Sequence, residues 1–208
     1  MEQHYQRSVA LRVAQQDDLL LAWAMNGALL EPQHGSPLRV IVPGWYGMSH
    51  VKWLSAITVL KIPFAGYQQA VAYRYSQERA ELGEPVTVMQ VNSLLIPHGI
   101  PDFLTRMRVV KRGSVELRGR AWSGRSLITR VEVSCDGGST WAPAEVEEPH
   151  TPSSWQGWHY RWDALTLGTY ELCCRAQDSA GNTHPMDQYW TARGMGNNEI
   201  QRVRVVVV

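Results

Sequence analysis

The sequence predicts the α+β class with mostly β structure, in which a mixed α/β segment precedes a β-sandwich. Two observations support this division. From residue 86 onward, short runs of alternating apolar and polar residues recur at regular spacing, with turn residues between them. Before Glu84 and Pro85 the periodicity is irregular, and one helical stretch is mixed with short strand-like runs. We therefore expect two domains, 1–85 and 86–208.

The second domain carries the stronger pattern. The runs that qualify as strands cover 86–92, 115–122, 128–134, 158–162, 170–176 and 202–208. Six or seven short strands in about 120 residues, with turn signals at 136–138 and 178–182, are typical of a two-sheet sandwich of immunoglobulin type. The usual Cys–Trp–Cys core is missing, so we expect a variant without a disulfide. Trp155, Trp158 and Trp162 are then expected in its core or at a dimer contact.

The first domain offers weaker signals for individual elements. Ser8 is placed to cap a short helix over 9–15. The pair at 26–27, Asn-Gly between two apolar runs, is the strongest short signal for a β-hairpin. Strands are predicted over 38–42 and 57–60. Residues 63–75 lack clean periodicity and are expected to form a loop that carries side chains.

Composition narrows the class of protein. The chain has 208 residues, 44% of them hydrophobic and 19% charged, and a formal net charge of +1. A general nucleic-acid binder normally shows a strong basic excess, so near-neutrality argues against nucleic acid as a partner. No apolar run approaches the roughly 20 residues of a membrane span, and the polar N-terminus lacks the apolar core of a signal peptide. We expect a soluble protein, cytoplasmic by default, with a periplasmic parent protein as the alternative.

The three cysteines and one basic run are expected to have structural roles and not to form a functional site. Cys135, Cys173 and Cys174 form no metal-binding spacing. Because neighbouring residues of a strand point to opposite faces, we expect one of Cys173 and Cys174 in the core and the other exposed. The cationic residues near 106–112 are expected to form a solvated edge.

One polar cluster predicts a binding site. His34, Arg39, His50 and Lys52 surround the strand predicted at 38–42, and glycines nearby allow the backbone to approach a ligand. Arginine offers a planar fork of donors, lysine a point charge and histidine a tunable donor, a combination that suits a buried anion such as phosphate. Neither a Walker loop nor a GxGxxG motif after a strand is present in the sequence. A capped turn with surface cations is the alternative interpretation.

Five motifs in sequence order resemble the sulfite oxidase family of molybdopterin-dependent oxidoreductases. They are LLAWAMNG at 20–27, HGSPLR at 34–39, VPG at 42–44, HVKWL at 50–54 and VEVSCDGGSTW at 131–141. The resemblance extends over nearly the whole chain. It implies the C-terminal portion of such an enzyme, which is the end of a mixed α/β molybdopterin domain followed by an immunoglobulin-like dimerisation domain.

The resemblance assigns roles to particular residues. His34 and Arg39 match residues that hold the molybdopterin, and His50, Val51 and Lys52 match the segment that binds its phosphate end. Tyr73 matches an active-site tyrosine beside the metal, although Tyr67 and Tyr75 lie close in sequence and a core or surface tyrosine is an equal alternative. Arg193 matches an arginine that binds the substrate oxyanion, with an interface role as the alternative.

The departures from the family pattern bear on activity. The cysteine that ligates the metal lies upstream of these motifs in the family, and none of the three cysteines matches it, so no metal ligand is assigned. We therefore expect the molybdenum–molybdopterin cofactor to be shared with a missing upstream segment or subunit, and the chain to be inactive alone. It would be a split subunit, a truncated gene product or a partial protein.

Further expectations concern substrate and partners. Sulfite-specific members carry more basic residues where this chain has QQAVA at 68–72, so the substrate is sulfite or another small oxo-compound. A homodimer through 86–208 and a separate electron acceptor are expected, since no heme-binding domain occurs in this chain. The alternative function is a non-catalytic immunoglobulin-like interaction module.

Overall fold

Strands dominate the structure, a computed structural model that describes residues 4–16, 18–78, 80–151 and 153–208. The chain forms two units. The first comprises Met1–Met89 together with Trp190–Gly196, and the second comprises Gln90–Tyr189 together with Asn197–Val208. Among the described residues, no helix combines the length and the apolar composition that a membrane crossing needs.

The first unit is built from short elements. They are helix α1 (Leu11–Ala14), 3₁₀ helices at Pro32–His34 and Gly47–Ser49, a π-helical turn at Gln68–Ala72, and strands β1 (Leu20–Ala22), β2 (Ala24–Met25), β3 (Ala28–Leu29), β4 (Arg39–Ile41), β5 (Arg74–Tyr75) and β6 (Glu84–Pro85). The strands pair antiparallel as β1 with β4, β2 with β3 and β5 with β6. Val13, Val42 and Trp45 form its small buried cluster.

The predicted hairpin at 26–27 is confirmed. Asn26 and Gly27 join β2 to β3 with φ angles of 52° and 81°. Two consecutive residues with positive φ are the requirement of the type I′ turn, whose twist matches that of the flanking strands.

Two expectations for the first unit are wrong. Ser8 does not cap α1, since Ala10 precedes the helix and makes no side-chain cap. Instead the Ser8 backbone N–H donates to Gln69 Oε1 at 3.0 Å, and Gln69 Nε2 donates to Ser8 Oγ at 2.8 Å. Residues 57–60 do not form a strand, because within the described residues no partner strand lies beside them.

The second unit is a two-sheet sandwich. Its strands are β7 (Asn92–Ile96), β8 (Ile100–Pro101), β9 (Arg108–Val110), β10 (Gly113–Trp122), β11 (Ile128–Ser134), β12 (Ala142–Pro143), β13 (Glu145–Val146), β14 (Gln156–Ala164), β15 (Gly168–Asp178) and β16 (Arg202–Val207). One sheet has the order β13-β14-β10-β7 and the other β12-β11-β15-β16-β9-β8. The mainly β fold and the sandwich are confirmed.

The core of the sandwich lies between the two sheets. Inward positions alternate with exposed ones along β10, as expected for a half-buried strand. Trp158 and Trp162 are buried in this core, as predicted. Trp155 is half-exposed and stacks on Trp122 with ring centroids 4.0 Å apart.

Two details of the second unit differ from expectation. The strand predicted at 86–92 begins only at Asn92, because 87–89 pair instead with 44–46. Tyr46 N–H donates to Thr87 O, and Met89 N–H donates to Gly44 O, both at 2.9 Å. The expectation that one of two neighbouring cysteines is exposed is also wrong, since Cys173 and Cys174 are both fully buried.

Candidate functional site

The turn that precedes β4 is the centre of the candidate site. The 3₁₀ helix Pro32–His34 ends at Gly35, whose φ of 104° favours glycine. A Cβ at Gly35 would lie 2.9 Å from Lys52 Cβ, so the absence of a side chain lets Lys52 pass close to the turn.

Three side-chain donors meet three consecutive carbonyl oxygens of this turn. Trp53 Nε1 donates to Pro32 O, Lys52 Nζ donates to Gln33 O, and Arg39 Nη1 donates to His34 O, each at 2.9 Å. The structure therefore brings His34, Arg39 and Lys52 together around one turn.

The cations at the turn keep unused donors. A guanidinium has five N–H groups and an ammonium has three, and each uses one on a turn carbonyl. Arg39 Nε is buried and has no hydrogen-bond partner among the described residues. Such a buried donor is costly without an acceptor. The remaining donors on Arg39 Nη and Lys52 Nζ lie at exposed positions, where an anion can reach them. The cluster can therefore receive an anionic group.

His50 plays a different part in the same region. Its Nε2 lies 3.0 Å from Val42 O, and because a carbonyl only accepts, this nitrogen carries the hydrogen. Burial lowers the pKa of His50, its hydrogen bond to Val42 raises it, and the positive charge of Arg39 lowers it again. The net direction is downward, so the ring is neutral at neutral pH.

Val51 contributes through its backbone. Its carbonyl accepts a hydrogen bond of 2.9 Å from Val40 N–H, and Leu54 N–H donates to Leu38 O at 2.8 Å. These bonds fix the segment that carries His50 and Lys52 alongside β4.

Tyr73 directly follows the π-helical turn and is half-buried. The Arg7 guanidinium carbon lies 5.6 Å from the centre of its ring, within the range of a cation–π contact. Arg7 Nη1 donates to Gln68 O at 3.0 Å, and Nη2 donates to Val86 O at 3.1 Å. Sequence reasoning missed Arg7, and no local pattern could have found it, because its partners lie 61 and 79 residues away.

Arg193 is exposed and lies on the segment Trp190–Gly196, which belongs to the first unit. Ala192 N–H donates to Ser76 O at 2.8 Å, immediately after β5. A Cβ at Gly196 would lie 2.3 Å from the Tyr75 ring, so this glycine packs directly on that ring. The structure thus groups Arg193 with the unit that carries Tyr73.

Tyr75 is a second tyrosine of interest. Burial raises the pKa of its hydroxyl well above the ordinary value, and neighbouring Tyr46 raises it further. The phenol therefore stays protonated and neutral across the physiological pH range. Tyr67, the third tyrosine considered, is half-exposed.

The cysteines offer no thiolate at neutral pH. Burial raises the pKa of Cys135 and of Cys174 to about 12 in each case, and it also raises the pKa of Cys173. In the part of the chain that the structure describes, no three His, Cys, Asp or Glu side chains are grouped so that they could hold a metal ion.

Two family models match the chain. Residues 1–68 match the oxidoreductase molybdopterin-binding domain, and residues 84–208 match the Mo-co oxidoreductase dimerisation domain.

Named relatives and a solved structure are similar to this chain. NAD(P)H nitrate reductase of Hordeum vulgare is 34% identical over 97% of this chain, and NADH nitrate reductase 1 of Arabidopsis thaliana is 33% identical over 91%. The crystal structure of the sulfane dehydrogenase SoxCD from Paracoccus pantotrophus matches 93% of this chain with a TM-score of 0.80 and 28% identity. The chain spans 25% and 23% of the two nitrate reductases and 50% of the matched SoxCD chain.

Proposed function

This chain belongs to the molybdopterin-dependent oxidoreductases, and from that premise we propose that it forms the C-terminal part of a sulfite-oxidase-like molybdenum enzyme. Residues 1–85, together with Arg193, would contribute contacts to the cofactor and substrate, and residues 86–208 would form the homodimer. The family resemblance seen in the sequence is confirmed by the matching domain models.

The convergence of cations on the turn at 32–35 is the observation that carries this proposal. Arg39 and Lys52 are held there by backbone carbonyls, and both keep donors for a ligand. The remaining Nη and Nζ donors lie at exposed positions and suit an anionic acceptor. These residues fit the phosphate end and the polar edges of a molybdopterin.

Each residue of the cluster has a proposed task. His34 and Arg39 would hold the pterin, and His50, Val51 and Lys52 would hold its phosphate end. Neutral His50 would act by fixing the loop through Val42 O, whereas Lys52 would supply the positive charge. When bound, the molybdenum cofactor supplies the redox chemistry, and the protein supplies orientation and electrostatics.

The proposed substrate is a small oxyanion. The exposed guanidinium of Arg193 would bind it through its planar fork of donors, and Tyr73 would donate a hydrogen bond beside it. Nitrate, for which the related nitrate reductases are named, and sulfite, to whose oxidases the motifs are similar, are both small oxyanions, which supports this substrate class. Electrons would leave to a separate acceptor, and no heme is proposed in this chain.

We further propose an upstream molybdopterin-domain segment or subunit as a partner. Residues 55–63 run exposed along their whole length, and 68% of Ile57, 82% of Val59 and 75% of Ile62 is accessible. A near-continuous run of aliphatic residues is typical of a strand buried inside a sheet. A segment that supplies the metal-ligating cysteine would also cover these residues.

Cofactor retention tests the proposal. The chain is produced together with a polypeptide that carries the cysteine-bearing segment, in cells that make the cofactor, and molybdenum is measured by elemental analysis and pterin by fluorescence. Arg39→Ala is expected to lower both contents at least 10-fold, because a charge-assisted contact is lost. Arg12→Ala removes an exposed arginine of the same unit and serves as the matched control. Molybdenum at background level in a folded complex would contradict the proposal.

The second candidate function is a non-catalytic immunoglobulin-like interaction module. The contrast between the two cores favours it, because the sandwich has an extensive buried core whereas the first unit buries three apolar residues in one cluster. A stable dimer that binds no cofactor in any pairing would support the module instead of the enzyme.

A further inference from the structure

The second unit exposes its most accessible apolar side chains in one place. Among its described residues, Leu104 is 87% exposed, Phe103 81% and Ile100 77%. All three lie on the hairpin that joins β8 to β9 at one edge of the six-stranded sheet. Clustered apolar exposure of this kind marks an interaction surface more often than scattered residues do.

The tip of this hairpin is a fixed structure. The Asp102 carboxylate accepts hydrogen bonds from Thr105 N–H at 2.8 Å and from Thr105 Oγ1 at 2.6 Å. Asp102 N–H donates to Met107 O at 2.8 Å. At the base, Gly99 adopts a φ of 83°, and a Cβ there would lie 2.4 Å from Val109 O. Phe103 and Leu104 are therefore presented to solvent by a preorganised turn, which lowers the entropic cost of binding.

An apolar row continues from the hairpin into the sheet. Ile100 pairs with Val109, and Val109 pairs in turn with Val206 of β16. Val109 is 38% exposed and Val206 is half-buried. A stable interface buries about 800 Å² on each partner, more than two side chains supply, and this row extends the apolar area.

The other surfaces of the sandwich suit a partner less well. The four-stranded sheet carries ion pairs of 2.8 Å between Arg118 and Glu116 and of 3.3 Å between Arg120 and Glu147. The six-stranded sheet carries its own pairs, Arg175–Glu132 at 2.7 Å and Arg202–Glu171 at 2.9 Å. Charged residues are depleted in the core of an interface, so these paired charges are typical of solvated faces.

The edge formed by β7 is already occupied. Gln201 Oε1 accepts a hydrogen bond of 2.9 Å from Leu95 N–H, and Asn198 Nδ2 donates to Val91 O at 3.3 Å. Side chains therefore satisfy backbone groups that an added strand would need.

We propose that the β8–β9 hairpin, with Phe103 and Leu104 at its tip, is the surface through which two copies of this chain associate. This rests on the proposed homodimer, and a second copy is the occupant because the matching family model for 84–208 is a dimerisation domain. In a two-fold interface each hairpin meets the same surface of its partner.

The oligomeric state of the full chain tests this assignment. The double variant F103D/L104D places two carboxylates on the tip without touching the core, and the double variant L165D/L167D is the matched control. Leu165 and Leu167 are 65% and 61% exposed, between β14 and β15 of the same sandwich. Light scattering after size exclusion and sedimentation equilibrium measure the dimer dissociation constant, and circular dichroism verifies the fold.

The wild-type chain and L165D/L167D are expected to be dimers, whereas F103D/L104D is expected to raise the dissociation constant about 100-fold or more. A folded F103D/L104D variant that dimerises like the wild type would overturn the surface assignment and leave the homodimer standing. If L165D/L167D dissociates and F103D/L104D does not, the interface lies instead at the turn between β14 and β15, and the assignment is wrong. A wild-type chain that stays monomeric at all concentrations would refute the homodimer itself.

Discussion

At the scale of single residues, burial decides what the titratable groups can do. His50 and Tyr75 are neutral at physiological pH because burial disfavours their charged forms. Lys52 is exposed, although it lies two residues from His50. The positive charge proposed for anion binding therefore comes from Arg39 and Lys52, and the histidine supplies geometry.

His184 gives a pH-dependent prediction. It is 3% exposed in the second unit, and burial lowers its pKa to about 4, which backbone groups of Asn198 and Glu199 oppose only in part. Between about pH 6.5 and 4 the unfolded state then binds more protons than the folded state. Above pH 6.5 His184 therefore does not lower the free energy of unfolding. As the pH drops toward 4, this free energy falls by roughly 3 kcal/mol at most.

Urea unfolding at a series of pH values measures this effect. His184→Leu is expected to flatten the dependence between pH 6.5 and 4, because the titrating group is gone. His150→Leu, at an exposed position, is the control and should leave the slope unchanged. If the pH dependence of the free energy of unfolding is the same in His184→Leu as in the wild type, another titrating group causes it.

At the scale of elements, the local sequence determines where turns form, whereas contacts between residues distant in sequence determine which strands pair. The Asn26-Gly27 turn forms because both residues tolerate positive φ. By contrast, residues 57–60 have the composition of a strand and no ladder, since a strand needs a neighbour that the described residues do not supply.

Gly35 is the element-scale test of the candidate site. Gly35→Ala forces a side chain into a φ of 104° and against Lys52 Cβ, so it should destabilise the first unit by about 1–3 kcal/mol and displace Lys52. Gly47→Ala is the control, because no atom lies within 4 Å of a Cβ built there. Thermal unfolding of both variants measures the difference. Equal midpoints would show that the turn does not need glycine.

At the scale of the whole molecule, the two units differ in how much core each contains. Residues 86–208 carry all members of the large buried cluster, whereas the first unit has the small one. We predict that 86–208 folds alone with one cooperative transition and that 1–85 alone does not. Calorimetry and near-ultraviolet circular dichroism of the two fragments measure this. Failure of 86–208 to fold would contradict the boundary placed at residue 86.

The sequence predicts the sandwich well because alternation and turn chemistry are local signals. Ile128–Ser134 is found with the bounds predicted, and 115–122 lies within Gly113–Trp122. The β8–β9 hairpin was missed, because its basic residues resemble a solvated edge. Burial of Cys173 could not be predicted either, since it depends on neighbouring strands. In the candidate site the cations were predicted, but the turn carbonyls that hold Arg39 and Lys52 were not.

The side chains that bond to the backbone at the β7 edge affect how copies of the chain can assemble. An open strand edge would let molecules add one after another into a growing fibre. Gln201 and Asn198 bond backbone groups in and just before β7, and Pro101 of β8 lacks an N–H at one edge of the other sheet, so backbone pairing with another molecule is disfavoured at these two edges. At these two edges, association between copies would therefore have to use side chains.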